Sequence, residues 1–296
     1  MSLIEVEHLK YRYPATEKLA LNDISLKAEA GEFIGIAGKN TAGKSTFCQA
    51  LVGLVPHFYK GAYGGSVRIG GMDVKESGVD ETIRKVGIVF QNPFTQVTGS
   101  KLTVYEEIAF GLEHLGIPRQ DMMERIDHAL DLLDIEAYKD RAPFDLSGGQ
   151  MQRMAIASVI AMRPQVIVLD EPTSQLDPQG SDEVFRAIQG LSREGITVIL
   201  AEHKMEKLAA YADRIALLHE GMLLDYDTPS RVFSRSDLAK YGVEPPVYTR
   251  VCQAIGLRMP GMDMYPVTLK EAQAAYDAHR SAIPGSTQAE QGERHD

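Results

Sequence analysis

Two cysteines, Cys48 and Cys252, are all that the 296 residues contain, and no CxxC pair or His/Cys cluster accompanies them. That scarcity argues against a disulfide framework or a thiolate zinc site, and it fits a reducing compartment. Long apolar runs are missing too. The longest, such as Val166–Leu169, are strand-sized and far below the ~18 residues of a membrane span. The opening stretch MSLIEVEHLK lacks the basic-then-apolar pattern of a secretory leader. The expectation is therefore a soluble chain that meets a membrane only through a partner. Positive charge is in short supply, with 31 Lys and Arg against 41 Asp and Glu and a net charge of -10. A protein that wraps nucleic acid needs a basic footprint, so no nucleic-acid partner is expected. No internal repeat is visible.

What is present is enough apolar residue, 44% of the chain, to bury a sizeable core. Ile34–Ala37, Val67–Ile69 and Val86–Phe90 are β-rich runs punctuated by glycine. From about Thr103 to Ser158 the pattern turns helical, with Met123, Ile126, Leu130 and Leu133 spaced as one apolar helix face. Val166–Leu169 and Thr197–Ala201 then return as continuous apolar strands, the pattern of a sheet covered on both faces. The order describes an α/β core with a helical subdomain, about 98–158, inserted in it. This unit spans 1–227. Beyond it, Pro245 and Pro246 open a segment in which Val247, Val251 and Ile255 recur every fourth residue until Gly256. A second short helix starts at Thr268, where Glu271 completes a capping box. Residues 228–282 thus form a helical extension that packs on the main unit or on a partner. The polar stretch 283–296 is expected to be disordered.

Three signals carry chemistry. Gly38-Lys39-Asn40-Thr41-Ala42-Gly43-Lys44-Ser45 matches GxxxxGK[ST] and lies between the strand Phe33–Ala37 and a helix-compatible run. Its glycines let backbone N–H groups converge on phosphates, and the helix N-terminus adds partial positive charge. Lys44, with no evident partner, would reach the β- and γ-phosphates of ATP, and Ser45 would bind Mg²⁺. The second signal is the strand Val166–Leu169 ending in Asp170 and Glu171. Carboxylates at that sheet edge suit a water-bridged Mg²⁺ for Asp170 and a general base for Glu171. The third is Leu146-Ser147-Gly148-Gly149-Gln150 ahead of a helix. Ser147 is a natural N-cap, and the glycines leave amides bare, which makes a second anion receptor.

Taken in order, LSGGQ-x-QR, LDEP and LDP resemble the signature region of ATP-binding cassette ATPases, and the resemblance runs from about residue 3 to 226. It implies a P-loop NTPase fold with a RecA-like core, an antiparallel β subdomain, the helical insert and a small C-terminal helical extension. It also implies roles for further residues. Tyr13 resembles the aromatic that stacks on adenine, with Tyr11 the less favoured alternative. Thr46 completes the phosphate loop. Gln91 resembles the glutamine that senses Mg²⁺ and the transmembrane partner. Asp177 matches the loop that crosses between two cassettes, and His203 the histidine on the γ-phosphate. The family mechanism is a composite site, in which the Ser147–Gln150 segment of one cassette closes over ATP held by another. Two departures stand out. Thr41 and Ala42 replace the usual Gly and Ser, with their amides expected to stay available, and Ser158 stands where arginine is usual.

GLVPH at Gly53–His57, VFQNPFTQ at Val89–Gln96, AEHKMEKL at Ala201–Leu208 and TPSRVF at Thr228–Phe233 are similar to the ATPase subunits of energy-coupling factor transporters. That resemblance implies ATP-driven uptake of a vitamin or transition-metal ion. The implied partners are a second ATPase (identical or paralogous), a transmembrane coupling protein and a membrane-embedded substrate-binding protein. The implied location is the cytoplasmic face of the membrane. A soluble cassette ATPase without a transporter, or a partner that binds ATP without turnover, are the alternatives.

Overall fold

The computed structural model describes residues 2–282, so the expected disorder of 283–296 lies outside the described residues. Ten strands form two sheets. They are β1 (Ser2–Arg12), β2 (Leu21–Glu29), β3 (Phe33–Ala37), β4 (Ala62–Ile69), β5 (Met72–Asp73), β6 (Val86–Val89), β7 (Val166–Asp170), β8 (Thr197–Ala201), β9 (Arg214–His219) and β10 (Met222–Asp227). The smaller sheet has the order β2-β1-β4-β5 and is antiparallel throughout. The larger has the order β10-β9-β3-β8-β7-β6, parallel except for β10 at its edge.

The strands β3, β7 and β8 read as unbroken apolar runs because both of their faces are covered. Alternate residues feed two separate cores. Ile34, Ile36, Val166, Val168, Ile199 and Ala201 join the antiparallel sheet and the helix Lys44–Leu51. Phe33, Ala37, Ile167, Leu169, Val198 and Leu200 join the helices of the insert.

The insert lies between β6 and β7 and holds the helices Val104–His114, Arg119–Leu132 and Gly148–Ile160. Thr103 starts the first by accepting from Glu106 N at 3.2 Å, while the Glu106 carboxylate accepts from Thr103 N. The middle helix departs from its sequence pattern in one place. Ile126, Ala129, Leu130 and Leu133 are buried, but Met123 is 50% exposed, and its neighbour Met122 packs on the core instead. The buried stripe thus begins one residue earlier than the spacing suggested and takes in Ala129.

After β10 the extension contributes the helices Val247–Ile255 and Leu269–Ala282. Thr268 and Glu271 make the expected reciprocal cap. The Val247, Val251 and Ile255 stripe does not dock on the main unit, as all three side chains are exposed. The opposite face packs, with Cys252, Leu257 and Ala275 forming a small core of their own. Thr249 Oγ1 fixes that face by donating to Pro266 O at 2.8 Å.

Candidate nucleotide site

The parallel strands end at one edge of the large sheet. Neighbours β3, β8, β7 and β6 there deliver Gly38, His203, Glu171 and Gln91 in turn. This C-terminal edge is where open α/β sheets bind ligands.

The phosphate loop turns tightly from β3 into the helix Lys44–Leu51. Thr41 has φ 69° and Gly43 φ 103°, so the amides alternate in direction and form a nest. Gly43 is required twice over: its φ is left-handed, and a Cβ there would lie 2.8 Å from Ala20 O. Thr41 takes a conformation usually left to glycine. One expectation needs correction. The Ala42 amide is not free, since it donates to Lys39 O at 3.1 Å and closes the turn. Asn40, Thr41, Gly43, Lys44, Ser45, Thr46, Gln91 and Glu171 line one open cavity of about 400 Å³.

Lys44 is likewise not unpartnered. It is 4% exposed, and its ammonium lies 3.2 Å from Glu171 Oε1 and 3.1 Å from His203 Nε2, with Gly38 O at 3.2 Å. His203 Nε2 in turn lies 2.8 Å from the same carboxylate oxygen. Gln91 Nε2 donates to Glu171 Oε2 at 3.4 Å. Sequence reasoning could not see this knot, because its members come from four separate loops. Glu171 itself is held at φ 51°, an uncommon conformation for a side-chain-bearing residue, with its amide donating to Ala201 O at 2.9 Å. That fixes the carboxylate over the phosphate cavity. The arrangement suits a triphosphate that takes Lys44 and leaves Glu171 to accept a proton from water.

Asp170 is 7% exposed, and its Oδ1 has no hydrogen-bond partner among the described residues. Burial pushes its carboxyl above the ordinary range, opposed in part by the Ser45 hydroxyl beside it. A buried oxygen with nothing to bind, next to the Ser45 hydroxyl, fits a hard divalent cation such as Mg²⁺.

Of the two candidate adenine platforms, Tyr11 is fully buried and its hydroxyl donates to Tyr59 O at 2.8 Å. Tyr13 is half-buried, stands edge-on to Tyr11, and its hydroxyl reaches Thr46 Oγ1 at 3.1 Å and Gln49 Oε1 at 3.0 Å. It is thereby tied to the phosphate-loop helix.

The helix start at Ser147–Gln150 is closed by a reciprocal capping box. Ser147 Oγ accepts from Gln150 N at 3.3 Å and Gln150 Oε1 accepts from Ser147 N at 3.0 Å. This leaves the Gly148 and Gly149 amides pointing outward from the start of Gly148–Ile160. Asp177 caps the neighbouring helix Pro178–Arg193 through Gly180 N at 2.7 Å. These residues line a cavity of about 570 Å³ that shares no residue with the Lys44 cavity. Thr173, Ser181 and Glu202, all buried, and the half-buried Lys204, which the sequence did not single out, form a hydrogen-bonded polar cluster. A Glu and a Lys flanking His203 straight after an apolar strand were the available signal.

The family model described as ABC transporter matches residues 21–174. The energy-coupling factor transporter ATP-binding protein EcfA1 of Lacticaseibacillus paracasei is 42% identical, over 88% of this chain and 92% of that protein. The protein of the same name from Bacillus licheniformis is 40% identical, over 88% of this chain and 92% of its own length. Among solved structures, cbiO1 of Clostridium perfringens, described as part of the ABC transporter complex cbiONQ, is 33% identical. It superimposes with a TM-score of 0.71 over 81% of this chain and 93% of that one.

Proposed function

Since the chain belongs to the ABC transporter family as an ATP-hydrolysing, ATP-binding subunit, we propose that it powers an importer of the energy-coupling factor type. The cargo in this reading is a vitamin or a transition-metal ion, and the chain works from the cytoplasmic face of the membrane. Its cassette comprises 1–227, and 228–282 is an accessory helical extension. Its partners are a second cassette, a transmembrane coupling protein and a membrane-embedded substrate-binding protein. Among the described residues no helix is long and apolar enough to cross a membrane, and in this reading the cargo path lies in other subunits. The EcfA1 names of the relatives support the importer branch over a transporter-free ATPase.

One observation supports this mechanism: residues 40–46 and the Ser147–Gln150 helix start open into different cavities. One triphosphate needs charge compensation on both sides, and one copy supplies only one side to each site. A second cassette completes it. Tyr13 stacks the adenine, and residues 38–46 with Lys44 cradle the phosphates. Ser45 and Asp170, with Gln91 nearby, would hold Mg²⁺, which would supply neutralisation of phosphate charge. Glu171 takes the proton of the attacking water, and His203 orients the γ-phosphate. Ser147–Gln150 and Asp177 act across the interface, and ATP joins the two cassettes until hydrolysis lets them part. The exposed Val247, Val251 and Ile255 stripe is free to help hold the pair together.

The test is purification from membranes through a tag on this chain, followed by ATP-dependent uptake in proteoliposomes. A coupling protein and a small membrane-embedded binding protein should co-purify, and vesicles should accumulate that protein's ligand only with MgATP. Recovery of the chain in the soluble fraction, turning over ATP with no membrane partner, would establish the transporter-free reading instead.

A further inference from the structure

A polar cluster that no step above uses adjoins Glu171 and His203 along the chain. Glu202 is 2% exposed, Thr173 0% and Ser181 2%. The Thr173 hydroxyl donates to Glu202 Oε2 at 2.6 Å and accepts from Lys204 Nζ at 3.1 Å. The remaining Lys204 protons go to Ser181 Oγ at 2.7 Å and Thr173 O at 3.3 Å, so all three donors are used. Glu202 Oε1 folds back to accept from His203 N at 2.7 Å and Lys204 N at 3.3 Å. An acid and a base are thus joined through one hydroxyl, and they tie together three segments. Thr173 follows Glu171 by two residues, Ser181 sits in the first turn of the helix capped by Asp177, and Glu202 and Lys204 flank His203.

Stability alone does not call for this arrangement. Burying the Glu202 carboxylate beside a half-buried Lys204 costs desolvation energy, and well-packed apolar residues of like volume often do as well or better. What the charges supply is direction. The Glu202 carboxylate fixes the His203 amide, hence the turn that aims its imidazole, and the Lys204 ammonium fixes the start of the Asp177 helix.

We propose that Glu202, Thr173 and Lys204 are positioning residues that couple the His203 turn to the Asp177 loop, so that the orientation of the γ-phosphate histidine follows the docking of the second cassette. None of the three touches substrate. The inference rests on the composite-site reading above, and it adds that hydrolysis waits on assembly through this particular relay. When the Asp177 loop is pressed into place by the neighbouring cassette, Ser181 moves with it. Lys204, Thr173 and Glu202 then carry that shift to the backbone of His203.

The experiment compares Thr173→Val, Thr173→Ser and Ser181→Ala in the membrane-purified complex. Val keeps the volume of Thr and removes the bridging hydroxyl, whereas Ser keeps the hydroxyl and removes a methyl. Thr173→Val and Ser181→Ala are each expected to lower kcat by about tenfold, with KM and the Kd for ATP within about twofold of wild type. Thr173→Ser should turn over within about twofold of wild type, and Thr173→Val with Ser181→Ala should lose no more than the worse single variant, as expected of one network. Wild-type kcat in both single variants, or a Thr173→Ser loss equal to that of Thr173→Val, would overturn the relay. Should Thr173→Val fail to fold, Ser181→Ala decides by the same threshold. A wild-type complex that does not hydrolyse MgATP would instead remove the composite-site reading itself.

Discussion

Replacing Glu171 by Gln should uncouple two things that the wild-type carboxylate does at once. Its Oε1 holds Lys44 at 3.2 Å and His203 at 2.8 Å before nucleotide arrives. In the proposed mechanism ATP takes Lys44 from that carboxylate and then sits beside its negative charge. For unit charges at 3.2 Å, Coulomb's law gives about 1.3 kcal/mol in bulk water and about 5 kcal/mol at an effective dielectric of 20. The cavity is open on the phosphate side, and the Gln carbonyl can still accept one Lys44 proton. Because the substitution removes the charge but keeps that hydrogen bond, the net relief is a small part of this range: about 1 kcal/mol, or about fivefold tighter ATP binding. Turnover should move the other way, falling by about 10²–10⁴ with loss of the base. Equilibrium titration with a fluorescent ATP analogue reads the first effect, and single-turnover hydrolysis by the complex the second. A variant that binds ATP no tighter than wild type would refute the Lys44 argument. One that hydrolyses ATP at the wild-type rate would refute the assignment of the base.

Three other outcomes follow from named contacts. Burial raises the Asp170 carboxyl, so the folded state holds that proton more tightly than the unfolded chain, and its contribution to stability declines as pH rises through the raised value. Asp170→Asn should remove that component from the pH dependence of thermal unfolding, raise the nucleotide-free melting temperature at neutral pH, and abolish the extra stabilisation Mg²⁺ gives with ATP. Ser147→Ala deletes the cap of Gly148–Ile160 and should cost about 1 kcal/mol, seen as a drop of about 2 °C in melting temperature; an unchanged value would mean that water replaces the hydroxyl. Val251→Glu with Ile255→Glu should leave far-ultraviolet circular dichroism unaltered and weaken self- or partner association by about tenfold or more in sedimentation velocity.

Much of this site could be read directly along the chain. Gly38–Ser45, Val166–Glu171 and Leu146–Gln150 are contiguous, and each carries its strand or cap with it, so local patterning suffices. What escaped is whatever depends on two segments meeting. The partners of Lys44 lie at Glu171 and His203, and nothing near residue 44 announces them. Ala42 looked free because its acceptor, Lys39 O, becomes available only once Thr41 turns left-handed. Apolar periodicity misled at Met123, and in the extension it marked a face that the main unit leaves uncovered. The spacing of Met123 and of Val247, Val251 and Ile255 marks one helix face, but the neighbours decide which face is covered. In the extension the buried face is the Thr249 and Cys252 side, since Pro266 O is there to satisfy the threonine hydroxyl.

The large sheet serves two masters, with alternate residues of each strand facing different layers. A replacement of Phe33, Ile167 or Leu200 is felt by the helical insert, while one of Ile34, Val168 or Ile199 is felt by the layer behind the phosphate loop. The two faces can therefore diversify at different speeds in a lineage. An insert borrowed from a relative, to fit a new membrane subunit, would have to be matched to one face only, and the machinery that reads the triphosphate would pass through the exchange unchanged.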